Sequence, residues 1–115
     1  QAILRRSEIE PLDEERYQDE TLTMDFRRHI VVVRGKRVDL SPIEFRMLDA
    51  MVRRSGVVLS TDRLLDLCWG DRSGGPSNVR VYVNYLRRKI EENPSKPKLI
   101  ETVREFGYRY RSSVC

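Results

Sequence analysis

Residues 77 to 92, SNVRVYVNYLRRKIEE, set the interpretation of the rest of this 115-residue chain. On a helix, four apolar side chains of this stretch fall on one narrow stripe, which is the spacing of a helix docked on a core. These four are Val79, Val83, Leu86 and Ile90. We therefore predict a helix over residues 77–92 that this stripe attaches to the rest of the protein.

The opposite face of this predicted helix combines positive charge, hydrogen-bonding groups and a small apolar side chain. In double-stranded DNA, Arg forms a bidentate hydrogen bond with guanine, Asn forms one with adenine, and an aliphatic group contacts the thymine methyl. A solvated basic face is the alternative interpretation, since runs of charge are usually that. As a DNA-binding surface, the face would consist of Ser77, Arg80, Val81, Asn84, Tyr85, Arg87 and Arg88.

Composition indicates a globular domain with a basic body. Hydrophobic residues make up 39% of the chain and charged residues 35%, and no apolar run approaches membrane-spanning length. Residues 1–20 carry seven acids and three arginines, which gives this stretch a net charge of −4. Since the net charge of the whole chain is +4, the remaining residues have a net charge of +8. A basic body favours a polyanionic partner, nucleic acid before an anionic membrane. Cys68 and Cys115 suggest a reducing compartment, and we expect a cytoplasmic protein.

The N-terminal part of the chain contains an acidic stretch followed by short extended runs. Residues 1–20, QAILRRSEIEPLDEERYQDE, are interpreted as the end of a preceding element and a flexible linker. From Leu22 to Leu40, β-branched runs on either side of Arg34-Gly35-Lys36 predict a small antiparallel sheet. The lone His29 has no second ligand nearby, so it is predicted to be a surface residue, and neither a metal nor a cofactor site is expected.

A helix is predicted to follow this sheet directly. Ser41 is the expected N-cap, Pro42 fits the first helical position, and Glu44 completes a capping box. Gly56 is expected at C′, just beyond the end of the helix.

A second helix is predicted to begin at Ser60 or Thr61 and to run to Gly70. Trp69 ends its apolar stripe and is predicted to be a core residue rather than a ligand-stacking one. Residues 70–76, GDRSGGP, are predicted to be a loop, since no Lys-Ser/Thr follows and no strand precedes, as a nucleotide site would need. The shared core of the three helices is expected to contain Phe45, Leu48, Leu65, Trp69, Val83, Leu86 and Ile90.

The C-terminal part is predicted to be a β-hairpin. Two runs rich in β-formers, Leu99 to Val103 and Tyr108 to Arg111, surround a turn that contains Gly107. Arginines lie at its tip and along its return strand, which favours the wing of a winged helix. The candidate DNA contacts of this wing are Thr102, Arg104, Tyr108 and Arg109.

Four linked motifs carry a family resemblance. They are Leu40-Ser41-Pro42-x-Glu44-Phe45-x-x-Leu48, Leu64-Leu65 with Trp69-Gly70, Val79-x-Val81-Tyr82-Val83-x-Tyr85-Leu86-Arg87-x-Lys89, and Thr102-Val103-Arg104-x-x-Gly107-Tyr108-Arg109. Over roughly residues 21–111 the chain closely resembles the C-terminal effector domain of OmpR/PhoB-type bacterial response regulators. The tip Glu105-Phe106 departs from the usual Gly-rich turn of the family, and Arg80 stands where members often carry Asp.

The resemblance implies an α+β fold with three parts. These are an N-terminal four-stranded antiparallel sheet, three helices and a C-terminal β-hairpin wing. Residues 1–20 would be the end of a receiver helix and an acidic interdomain linker, residues 21–111 the winged helix-turn-helix domain, and residues 112–115 a tail. The helix over residues 77–92 would enter the major groove, and the wing would contact the minor groove or phosphates.

The function implied by the resemblance is sequence-specific binding of double-stranded DNA. The domain would be the output part of a two-component response regulator that controls transcription, with a receiver domain and a histidine kinase upstream. We expect an operator made of a direct repeat and an isolated domain that is monomeric and has no membrane partner. RNA polymerase is a possible second partner, through the loop formed by Asp71, Arg72, Ser73, Gly74, Gly75 and Pro76.

Three other classes of protein fit this sequence less well than a DNA-binding domain. An enzyme is not expected, because the chain has one His and lacks a nucleophile with a paired base or a cluster of metal ligands. A winged-helix protein-protein interaction module is the alternative, and the charge on the helix face is what discriminates against it. An RNA binder would more typically expose aromatic side chains on a sheet.

Overall fold

The structure is a computed structural model, and it describes residues 15–70 and 75–111. The chain divides into two compact units, which join in sequence between Asp39 and Leu40. The predicted end of a receiver helix, the predicted tail with Cys115 and the middle of the predicted loop, residues 71–74, all lie outside the described residues.

The N-terminal unit is an antiparallel sheet of four strands over the residues described. These are β1 (Arg16–Gln18), β2 (Leu22–Asp25), β3 (Ile30–Val33) and β4 (Lys36–Val38), in the order β1-β2-β3-β4. Alternate side chains of β2 and β3 are buried, because successive residues of a strand point to opposite faces. The buried ones are Leu22, Met24, Val31 and Val33. The predicted sheet is confirmed, and His29 is exposed as predicted.

Strand β1 lies inside the stretch that was expected to be linker, so the sheet begins earlier than residue 21. Asp19, which is 8% exposed, fixes the turn that joins β1 to β2. Its carboxylate accepts hydrogen bonds from the backbone N–H groups of Thr21 and Leu22, both at 2.8 Å, and from the Tyr17 hydroxyl at 2.8 Å. An Asp that bonds the backbone two or three residues ahead stabilises a tight turn.

The second unit begins with α1 (Pro42–Arg53). The predicted capping box is present, since the Ser41 hydroxyl accepts the Glu44 N–H at 3.3 Å and the Glu44 carboxylate accepts the Ser41 N–H at 2.8 Å. The predicted end was wrong by one position, because Arg54 is the C-cap and Gly56 is two residues beyond it. Gly56 has a φ of 86°, and its N–H donates to the Tyr110 carbonyl at 2.9 Å.

The next two helices are α2 (Thr61–Trp69) and α3 (Gly75–Ile90). As predicted, Ser60 caps the N-terminus of α2, and Gly70 ends it in the left-handed conformation with a φ of 82°. Helix α3 differs from the prediction at both ends. Gly75 and Pro76 belong to its first turn rather than to a loop, since a Pro near a helix start removes an N–H that has no partner there.

The wing consists of β5 (Ile100–Val103) and β6 (Gly107–Tyr110), which pair in antiparallel register. A third segment, for which no strand was predicted, pairs with the return strand of this wing. Leu59 exchanges both backbone hydrogen bonds with Tyr108, at 2.8 and 2.9 Å. The return strand of the wing is therefore attached to the segment between α1 and α2.

The predicted α+β winged helix is confirmed, as is most of its predicted core. Phe45, Leu48, Leu65, Val83, Leu86 and Ile90 are buried. The prediction that Trp69 is a core residue was wrong, because its side chain is only half-buried and packs at the edge of this core. The helices in the described part of the chain all lack the length and apolar character needed to cross a membrane.

Candidate nucleic-acid interface

Helix α3 has two faces of opposite character, as its sequence predicted. The stripe formed by Val79, Val83, Leu86 and Ile90 is 0% exposed. The opposite face is exposed and contains Ser77, Arg80, Val81, Asn84, Tyr85 and Arg88. Val81 is 40% and Tyr85 is 41% exposed, so both can reach a partner beside the cations of this face. The buried stripe thus orients a surface that combines charge, an amide and apolar groups.

Three arginines of the candidate surface are available to a partner. Arg80 and Arg88 on α3 and Arg104 at the wing tip are exposed, and within the described residues they make neither a hydrogen bond nor an ion pair. An unpaired, exposed guanidinium retains all five donors for a phosphate or a guanine edge. Their exposure is compatible with the predicted contacts to DNA, which stay a prediction.

Arg87 is placed differently from its neighbours. One guanidinium nitrogen donates to the Ile100 carbonyl and to the Thr102 hydroxyl, both at 2.8 Å. The guanidinium carbon also lies 5.8 Å from the centre of the Tyr108 ring. Burial lowers the pKa of the Arg87 guanidinium, although Tyr108 and Glu91 act in the opposite direction. Arg87, Thr102 and Tyr108, each predicted to contact DNA, therefore form one cluster that joins α3 to the wing.

Arg109 also has a partner within the protein. It faces Glu101 across the β5–β6 ladder and donates to one carboxylate oxygen from two guanidinium nitrogens, at 2.8 and 3.0 Å. Arg111 lies 4.0 Å from the same oxygen. Cross-strand pairs of opposite charge stabilise a two-stranded ladder, so Arg109 contributes to the wing itself.

Glu91 is a residue that sequence reasoning missed. Its side chain is buried, with 7% exposure of the residue, and its carboxylate accepts the backbone N–H groups of Lys98, Leu99 and Ile100 at 2.8, 3.0 and 2.8 Å. A negative charge beside a helix C-terminus is disfavoured by the helix dipole. An acid immediately after α3 was therefore a usable sign of a specific partner.

Lys89 attaches α3 to the start of α1. Its ammonium lies 2.6 Å from a Glu44 carboxylate oxygen, the same oxygen that accepts the Ser41 N–H in the capping box. Burial alone would raise the pKa of Glu44, but Lys89 and the bonds from Ser41 outweigh it, and the pKa lies below its ordinary value. The α3 helix is thus fixed to the body of the domain by charge as well as by its apolar stripe.

Aromatic side chains link the end of α2 to the exposed face of α3. Trp69 meets Tyr82 edge-on with ring centres 5.6 Å apart, and Tyr82 meets Tyr85 in the same manner at 5.4 Å. Edge-to-face pairs at these separations are attractive. Trp69 therefore supports Tyr85 through Tyr82, a relationship that could not be predicted from the sequence.

The tip of the wing is a tight turn that presents a large apolar side chain. The Phe106 N–H donates to the Val103 carbonyl at 2.9 Å, and Phe106 is 70% exposed. Glu105 has a φ of 72°, a conformation that favours Gly at the third position of such a turn. The departure from a Gly-rich tip therefore places backbone strain beside Arg104.

Comparison with known proteins assigns the family. The family model described as "Transcriptional regulatory protein, C terminal" matches residues 35–110. The chain belongs to this family. It is a winged-helix effector domain of the OmpR/PhoB type, and the family is one of transcription regulators rather than a class of enzymes.

Relatives and solved structures of this effector domain come from several bacteria. The alkaline phosphatase synthesis transcriptional regulatory protein SphR of Synechococcus elongatus is 40% identical over 112 residues, which cover 94% of this chain and 43% of SphR. The sensory transduction protein RegX3 of Mycolicibacterium smegmatis is 42% identical over 87 residues, covering 75% of this chain and 38% of RegX3. The chain thus spans less than half the length of these curated relatives.

Two solved structures share the fold of the effector domain. The response regulator DrrB of Thermotoga maritima, an OmpR/PhoB homologue, has a TM-score of 0.79 and 28% identity, covering 85% of this chain and 45% of DrrB. The DNA-binding domain of Klebsiella pneumoniae RstA, solved in complex with the RstA box, has a TM-score of 0.77 and 31% identity. That match covers 84% of this chain and 97% of the RstA domain.

Proposed function

We propose that this effector domain binds double-stranded DNA in a sequence-specific manner, without catalysis, as the cytoplasmic output part of a two-component response regulator. The observation that carries the proposal is the exposed face of α3, where an amide and two unpaired guanidinium groups lie beside Val81 and Tyr85. RstA, which is 31% identical, was solved on DNA, and this supports the same class of partner here.

The proposed contacts divide into two kinds. Asn84, Val81 and Tyr85, with Ser77 at the start of the helix, are assigned to base edges in the major groove, because they offer the groups that distinguish base pairs. Arg104 is assigned to phosphates or to a narrow minor groove, where a cation gains affinity without discriminating bases.

The arginines of α3 and the wing take different proposed roles. Arg80 and Arg88 are exposed and can serve either bases or phosphates. Arg87 and Arg109 already have protein partners, so we assign them to holding the wing rather than to a phosphate. Thr102 and Tyr108 remain proposed contacts at the edge of the same surface.

The proposed mode of control is dimerisation through an upstream receiver domain. One effector domain on one half-site buries a small surface, so it should bind weakly, whereas two tethered copies gain from a high effective concentration. A histidine kinase that phosphorylates the receiver would then place two effector domains on a direct repeat. We propose that the isolated domain is a monomer, and that RNA polymerase is bound through residues 71–76, of which 71–74 lie outside the described residues.

Selection of bound duplexes from a random pool tests this function directly. The domain should enrich a defined half-site, and a version forced to dimerise should enrich two half-sites in direct repeat. A variant in which Asn84, Tyr85 and Arg88 are all Ala, and which melts at an unchanged temperature, is the control and should enrich no sequence. Failure of the wild-type domain to enrich any sequence would favour the protein-interaction module instead.

A further inference from the structure

The backbone of Ile100 is held at both of its polar groups by two side chains, those of Arg87 in α3 and of Glu91 just beyond its last residue. Its N–H donates to Glu91 at 2.8 Å, and its carbonyl accepts from Arg87 at 2.8 Å. Arg87 and Glu91 are four residues apart, which places them one above the other at the C-terminal end of the helix. Since Ile100 is the first residue of β5 and is 0% exposed, this arrangement fixes where the wing begins.

The same two side chains extend their contacts in opposite directions along the wing. Glu91 also accepts the N–H groups of Lys98 and Leu99, which lead into β5. Arg87 also donates to Thr102 further along β5 and lies against the Tyr108 ring on β6. Both strands are therefore held by α3 itself, in addition to the pairing of β6 with Leu59.

These contacts require the burial of charge. The Arg87 Nε atom is buried and has no hydrogen-bond partner among the described residues. Leaving a buried donor unsatisfied costs free energy, and a guanidinium turned to solvent would avoid that cost. Buried ionic groups contribute little net stability, and their best-supported use is to fix one arrangement among several.

We propose that Arg87 and Glu91 are positioning residues that lock the wing to α3, so that the wing tip and the base-contacting face approach DNA as one rigid unit. A wing held in place loses little conformational freedom on binding, so its contacts add fully to affinity. A released wing must be ordered at the moment of binding, and the contribution of Arg104 shrinks accordingly. This inference rests on the proposed DNA-binding function.

The test is a double-mutant cycle that combines substitutions of Arg87 or Glu91 with a substitution of Arg104 at the wing tip. In the wild-type background, Arg104→Ala should weaken binding to the selected duplex by roughly tenfold, within the range of a lost phosphate contact. In an Arg87→Met background, which keeps an apolar stem but removes the guanidinium and its donors, the same change should cost less than about twofold. Arg87→Lys retains a donor and should restore part of the Arg104 effect.

A matched control is available on the same helix. Lys89→Met removes a charged contact of α3 with α1 but none with the wing, so Arg104→Ala should keep its full effect in that background. Glu91→Gln weakens the contact of the Glu91 side chain with the backbone N–H groups that lead into β5. It should therefore reduce the Arg104 effect as Arg87→Met does. All titrations are made well below the melting temperature of each variant, and Glu91→Gln replaces Arg87→Met if the latter does not fold.

The outcomes separate this inference from the function on which it rests. If the wild-type domain binds no duplex, the proposed function and the inference are both overturned. Wild-type binding with an Arg104 effect that is the same in the Arg87, Glu91 and Lys89 backgrounds overturns the inference alone. A reduction of the Arg104 effect in the Lys89 background as well would show general loosening of the domain, and would also overturn it.

Discussion

The backbone of Gly107 lies so close to Leu59 that a Cβ atom added at residue 107 would overlap the Leu59 carbonyl oxygen. The two backbones are in direct contact there because Leu59 and Tyr108 exchange hydrogen bonds. Any side chain at residue 107 would push the wing away from the segment that leads into α2. The φ of 148° at Gly107 is also one that other residues rarely adopt.

Gly107→Ala is therefore expected to destabilise the domain by more than about 2 kcal/mol, since a backbone clash adds to the strain of a positive φ. Gly70→Ala is the matched control, because Gly70 has a φ of 82° with open space around it. That change should cost only about 1 kcal/mol, the penalty of the left-handed conformation. Urea unfolding of both variants measures the difference, and equal losses would contradict the importance of the contact with Leu59.

Glu105→Gly is expected to stabilise the domain and to strengthen DNA binding. Relief of the positive φ at Glu105 outweighs the entropy that Gly adds to the unfolded chain, for a net gain of about 0.5 kcal/mol. Loss of a carboxylate beside Arg104 should raise affinity most at low salt. Glu105→Gln separates the two effects, because it should raise affinity with no gain in the free energy of unfolding. A Gln variant as stable as the Gly variant would show that the backbone is not strained.

Trp69→Ala is expected to lower the free energy of unfolding by about 2 kcal/mol. A fully buried Trp would cost about 3–5 kcal/mol, but this side chain is only half-buried. Its loss also removes the support of Tyr82 and, through it, of Tyr85. Base discrimination should therefore weaken more than overall affinity. Thermal melting and titration of matched and mismatched duplexes check this, and a fully abolished affinity in a folded variant would make Trp69 a direct DNA contact.

The Glu44–Lys89 pair predicts how stability depends on pH. The pKa of Glu44 is lower in the folded domain than its ordinary value of 4.5, so its contribution is present above that pH and is lost as the pH falls through the lower, folded value. Glu44→Gln should cost about 1 kcal/mol at pH 7. The free energies of unfolding of the two proteins should converge between pH 4.5 and the acid limit of folding. A constant difference down to acid pH would show that the pair does not act through ionisation.

Features with local causes could be predicted from the sequence. The capping box needs only Ser41 and Glu44, three residues apart, and the two faces of α3 follow from helical periodicity. The paired runs of the wing follow from β-formers around a turn. In each case the partners lie within one or two turns of the chain, so their spacing carries the information.

Features whose partners are distant in sequence could not be predicted. Arg87 looks like one more exposed cation on α3, and only the position of β5, 13–15 residues later, shows that it is committed to the wing. The position of Glu91 after α3 indicates that it has a partner, but the backbone N–H groups that it binds cannot be identified from residue types. Strand β1 is an edge strand of three residues in which Tyr17 alone is half-buried, so it is too short for the alternation that reveals a strand.

The central claim is that the exposed face of α3 distinguishes DNA sequences while the wing tip does not. Titrating the selected duplex and its single-base variants with wild type, Asn84→Ala and Arg104→Ala tests this most directly. Asn84→Ala should lose about 1–3 kcal/mol of discrimination at one base pair. Arg104→Ala should weaken all duplexes alike and reduce the log–log salt slope by about 0.9. Unchanged discrimination in Asn84→Ala and in the corresponding Tyr85→Ala variant, with full affinity, would contradict the account.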